Sequence, residues 1–154
     1  MSRLLIACLM IGLAGTGCSQ TSFGGSTTST NGSTIQTTTV AQGADSLISQ
    51  RRRVAIKDDA AWTALWKEHR GSDAGRPNVD FSKEMVLAAF TGEQLTAGYE
   101  VKIGSLNIQG NRVLVNIREI TPSSSTVTAQ VITTPFHLVK APRRTEEVVF
   151  IEAP

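Results

Sequence analysis

Cysteine is almost absent from this chain of 154 residues, and the two it has, Cys8 and Cys18, both lie in the first eighteen. Everything after Cys18 must therefore hold its shape without a disulfide, on its apolar core alone. Histidine is equally scarce, with only His69 and His137, and they are far apart in the sequence. A zinc site wants three or four converging His, Cys or carboxylate ligands, so the chain is expected to hold no metal. Aromatic residues make up 5%, and the formal charge is only +2. No basic stripe is interleaved with aromatics, which argues against nucleic acid as a partner. No apolar run is long enough to span about 30 Å of hydrocarbon as a helix. Gly-x-x-x-x-Gly-Lys, Gly-x-Gly-x-x-Gly and Gly-x-Ser-x-Gly are all missing, so no phosphate loop or nucleophile elbow is recognisable.

Charge is also missing from the N-terminal part, where Arg3 is the only charged residue before Asp45. Leu4–Leu13 is apolar and is followed by Ala14, Gly15, Thr16, Gly17 and then Cys18. A charged n-region, an apolar h-region and a small-residue cut site describe an export signal over residues 1–17. The thiol at the cut resembles the lipobox of bacterial lipoproteins, which implies acylation of Cys18. The expected location is the bacterial cell envelope, facing the periplasm or the exterior. Ser19 is compatible with outer-membrane sorting where the cell has two membranes.

Ser19–Gly43 contains five Ser, eight Thr and four Gly and no charge. Such a composition buries too little apolar surface to offset the entropy of ordering it. Residues 18–50 are accordingly expected to be the lipidated cysteine and a disordered tether. The domain is expected over residues 51–154, opening with Arg51-Arg52-Arg53 as a solvated charge run.

Within that domain the clearest element is a helix. Asp58 is a suitable N-cap, Gly71 a natural stop, and Trp62, Leu65, Trp66 and His69 recur on one face. The tryptophans at that spacing read as a core stripe. Met85–Phe90 is a continuous apolar run, as in a central strand. Val54–Ile56 is a short strand, and Tyr99, Val101 and Ile103 alternate with polar residues. The phase slips at Gly104-Ser105 before Leu106 and Ile108, which predicts a bulge. Gly110-Asn111 predicts a two-residue hairpin turn into Val113, Val115 and Ile117. Val127, Ala129 and Val131 form a further alternating run. Pro135 breaks the pattern before Phe136–Val139, and Glu147–Ile151 ends it. The fold class is α+β. One domain is expected, with a mainly antiparallel, twisted or curled sheet of about six strands and one amphipathic helix on one face.

Two loops stand out for function. Thr91, Gly92, Gln94, Gly98 and Tyr99 lie in a long turn between good strands. Thr134, Pro135, Phe136 and His137 form a polar-to-aromatic break. Loops on a rigid sheet are where recognition tends to sit, and Tyr99 and Phe136 are anchors of the type interfaces favour. These nine residues are the expected protein-binding site, with no catalytic set and no cofactor.

The same stretches resemble the PrcB family of protease-complex subunits. Trp62-x-x-Leu65-Trp66, Val79-Asp80-Phe81, Met85-Val86-Leu87, Thr91-Gly92, Gly98-Tyr99-x-Val101-x-Ile103 and Thr134-Pro135-Phe136-His137-Leu138-Val139 carry the likeness. Ala97 departs from the glycine expected before Gly98. The resemblance implies a lipoprotein, not an enzyme, that binds a protein partner and stabilises or assembles a secreted protease. The alternatives are an envelope protease inhibitor, or a ligand-binding protein or hydrolase using His137.

Overall fold

The computed structural model describes residues 34–125 and 127–152. The predicted signal, Cys18 and most of the predicted tether lie outside the described residues. Eight strands and one helix follow in the order β1 (Thr34–Ile35), β2 (Thr38–Gly43), β3 (Arg52–Ile56), α1 (Asp59–Arg70), β4 (Glu84–Phe90), β5 (Glu100–Gln109), β6 (Arg112–Ile120), β7 (Phe136–Pro142) and β8 (Glu147–Glu152). None of the described helices is long and apolar enough to cross a membrane.

The α+β class holds, but the single sheet becomes two. One has the order β1-β5-β6-β8, the other β2-β7-β4-β3. The reason lies in β4. Met85, Leu87 and Ala89 on one face join Val101, Ile103, Leu106, Val113, Val115 and Ile117 from the other sheet. Val86, Ala88 and Phe90 on the opposite face join Trp62, Leu65 and Trp66 of α1. A strand apolar on both faces needs a cover on each, so the layers run sheet, sheet, helix.

The helix ends as its residues dictate. Asp58 Oδ1 accepts from the Ala61 amide at 2.8 Å, and Gly71 closes it at φ 79° with its amide on the Lys67 carbonyl at 2.7 Å. Both tryptophans are buried, and their indole N–H groups donate to the Pro77 and Ala74 carbonyls. The register of β5 against β6 shifts between Ile103 and Leu106, at the predicted glycine. Gln109 pairs with Arg112 around Gly110, whose φ is 59°.

Two expectations fail. First, Thr34–Gly43 does not belong to a tether. β1 pairs with β5 and β2 with β7, and Ile35 and Ile48 are buried. Both pairings complete the open edge of a strand whose other side is occupied. Second, Val127–Val131 forms no strand. The Val131 amide donates back to the Ala129 carbonyl at 3.0 Å, a three-residue turn that an extended strand does not make. The pairing is mainly antiparallel, as expected, with β8 parallel to β6 because the chain crosses through β7 in the other sheet before returning. Arg51 and Arg52 are exposed, as expected, but Arg53 is not. Arg53 is largely buried and donates to Glu119, Glu152 and the Phe90 carbonyl, tying β3 to the far sheet.

Candidate functional site

The two loops singled out in the sequence come together, and a third joins them. The Thr91 amide donates to the Pro135 carbonyl at 3.0 Å. Gln94 and Thr133 exchange both backbone bonds, at 2.7 and 2.9 Å. Thr133 Oγ1 adds a bond to the Thr96 carbonyl, and the Ala97 amide reaches the Ala129 carbonyl. The 91–98 segment thus continues the β4–β7 pairing beyond the strand ends. The third strand of this platform is the stretch after β2. Thr134 donates from its amide to the Ala44 carbonyl and from Oγ1 to the Ser46 carbonyl. The Glu93 amide donates to Ser49.

Glycine is required at one crossing. Gly92 has φ 85°, and a Cβ there would lie 2.8 Å from the Arg51 amide nitrogen. A side chain at that point would push two backbones apart, so Gly92 is a packing residue and not a contact residue. Gly98, at φ 96°, lies against the side chain of Pro122, which a Cβ would approach to 3.1 Å.

Phe136 and His137 change role as well. Phe136 is 1% exposed, with its ring centroid 4.3 Å from that of His69 and 6.4 Å from that of Phe90. The Arg70 guanidinium lies 5.1 Å from the Phe136 ring centre, and Pro135 is buried beside it. His137 is buried too. Its Nδ1 accepts from the Ile103 amide at 2.9 Å, and its Nε2 lies 3.1 Å from Thr39 Oγ1. An Nδ1 that accepts carries no proton, so the ring is the neutral Nε2–H tautomer, donating to Thr39. Burial first and then Lys102 lower its pKa. With both nitrogens engaged, His137 has no nitrogen free for an acid–base role.

The exposed members of the platform are different residues. The Gln94–Thr133 pairing sets Leu95 beside Ile132, and these are 74% and 62% exposed. Val131 follows them at 50%. Exposed apolar side chains held on a hydrogen-bonded surface are candidates for a contact with another molecule. The sequence signal for Leu95 was an isolated apolar residue in an otherwise polar loop. Val131 belongs to the alternating Val127–Val131 run, a strand-like signal that does not mark a surface residue. Half-buried Tyr99 lies apart, lining a cleft of about 310 Å³ with Gln42, Gly43, Ala44, Gly98, Glu100 and Val101. Gln94 serves the platform through its backbone, and Thr134 through both its amide and its hydroxyl. Among the described residues, no three His, Cys, Asp or Glu converge as metal ligands would.

Comparison with known families finds a match to part of the platform. Residues 85–142 match the family model PrcB C-terminal. This region runs from β4 to β7 and holds two of the three segments of the platform. The PrcB resemblance read from the sequence is borne out over this region. No curated protein and no solved structure is significantly similar to the chain.

Proposed function

We propose that this protein is a non-catalytic accessory subunit that docks a partner protein through the Leu95, Val131 and Ile132 surface, and that the partner is a secreted protease it stabilises or assembles. The observation that carries this reading is the exposed Leu95–Ile132 pair, fixed on a platform of three cross-bonded segments. A rigid apolar contact loses little conformational entropy on binding, and burying each such side chain contributes roughly 1.5–3 kcal/mol. The PrcB C-terminal match supports the protease-complex context. Anchoring in the bacterial envelope through acylated Cys18 is part of the same proposal, supported by the export-signal pattern before it.

Affinity capture from gently solubilised membranes tests the reading. The full chain should recover a stoichiometric protein, and Leu95→Asp with Ile132→Asp should lose it while remaining folded by circular dichroism. Adding the purified domain to that protease should raise its half-life without lowering its activity. Capture of nothing, or capture unchanged by both substitutions, would sink the docking surface. A fall in protease activity would replace the accessory role by inhibition.

A further inference from the structure

Both histidines of the chain are buried, and both hold the same segment. His137 engages Thr39 on β2. His69 Nδ1 lies 2.8 Å from Ser46 Oγ, which also accepts from the Ile48 amide at 3.1 Å. The His69 carbonyl accepts from the Leu47 amide at 3.0 Å. Thr39, Ser46 and Leu47 all belong to residues 34–50, the stretch whose composition resembled a tether. That stretch buries only two large apolar side chains, Ile35 and Ile48. Its strands lie at sheet edges, and the register of β2 slips between Thr39 and Ala41. An edge held by few apolar contacts depends on its polar ones, and opens before the core does.

We propose that residues 34–50 form an acid-releasable strap, latched to the domain by the two buried neutral histidines. Each ring is set where a positive charge is badly accommodated. His69 is fully buried, with its Nε2 unpartnered, among Phe136, Phe90 and Trp66. A proton on Nε2 would be a buried donor with no acceptor. A proton on His137 Nδ1 would face the Ile103 N–H in place of accepting from it. Hydrating either ring requires the strap to lift.

The charged neighbours do not rescue the cations. Around His69, Asp45 from the strap is already paired with Arg70 at 2.9 Å, and Lys67 and Glu68 are paired with Asp73 and Arg52. Phe90 and Phe136, from β4 and β7, bring only aromatic rings. Around His137, β5 brings Lys102, paired with Glu100, and β2 has no ionisable side chain. Lys140 of β7 is paired with Glu84 of β4. Release would also free Thr134 from Ala44 and Ser46, removing one segment of the platform. The freed strap, ~17 residues, would add up to about 55 Å of reach between the domain and whatever precedes Thr34. The inference does not depend on the docking reading.

Residue-resolved amide exchange on the full chain tests it, from pH 7.5 to 4.5, as protection relative to the intrinsic rate at each pH. Protection of the Thr39, Ala41, Ser46 and Leu47 amides should fall while that of Met85–Phe90 and Val113–Ile117 persists. Between pH 6.5 and each folded pKa, every histidine left neutral lowers strap protection by about tenfold per pH unit. His69→Asn and His137→Asn each keep a neutral acceptor near the Nδ1 position and should flatten their share of the loss. Strap and core losing protection together, or a strap fully protected at pH 4.5, would overturn the proposal. An acid loss unchanged in both variants would overturn the role of the histidines. Should a variant fail to fold, the wild-type series together with the ring ¹⁵N shifts still decides. A neutral Nδ1–H tautomer at His137 would contradict the latch.

Discussion

Strand β7 has two neighbours of opposite character. On one side β4 reads Glu-Met-Val-Leu-Ala-Ala-Phe, and all but its first residue are buried. On the other β2 reads Thr-Thr-Val-Ala-Gln-Gly, and none of its residues is fully buried. Both are antiparallel to the same strand, β4 in continuous register and β2 with a slip between Thr39 and Ala41. The difference teaches what makes a strand legible and what makes it permanent. β4 is specified by its own side chains, between two apolar layers. β2 is specified by the vacancy beside β7 and by the contacts that close it.

Substitution can break that contrast, and Leu87→Ala should do so with the largest effect. Its fully buried side chain leaves a cavity between the sheets, costing about 2–5 kcal/mol in a denaturant titration. Acid comes next. The His69 pKa is lowered to about 4, by burial first and then by Arg70, with Asp45 opposing. A histidine held neutral in the fold contributes nothing adverse above pH 6.5, where the unfolded chain is neutral too. Below that the unfolded state binds the proton first, so stability falls with pH, by about 1.4 kcal/mol per unit until pH 4. Chemical melts at pH 7, 6 and 5 check the sign. Arg53→Ala removes the tie to Glu119 and Glu152 and should cost about 1–3 kcal/mol, because the side chain is largely buried. Val40→Ala, on half-buried β2, should cost under ~1 kcal/mol. Equal costs for Leu87→Ala and Val40→Ala would erase the contrast. Leu95→Asp should leave stability within about 0.5 kcal/mol, while removing the apolar contact.

The same contrast explains how much of the molecule could be read in advance. Helix α1 was legible because Asp58, Gly71 and the Trp62/Trp66 stripe each fix one property of it locally. The bulge at Gly104-Ser105 and the turn at Gly110-Asn111 were legible for the same reason. β1 and β2 were not, since nothing in Thr34–Gly43 distinguishes an edge strand from a linker until a vacant edge is supplied. Val127–Val131 erred in the other direction, with strand-like alternation broken by the local bond of the Val131 amide to the Ala129 carbonyl. In the site, sequence located the loops but inverted their inside and outside. Phe136 and His137 look like surface anchors after a proline break, yet the break turns them into the core under α1 and under β2. Leu95 and Ile132, unremarkable alone, become a surface only when the pairing of Gln94 with Thr133 sets them side by side.

The most direct test of the docking surface is site-specific photocrosslinking in intact cells. A photoreactive residue at position 132 is compared with one at position 64, on the exposed side of α1. The account predicts one discrete heterologous adduct from position 132 and none from position 64. No adduct from position 132, or the same adducts from both positions, would contradict it.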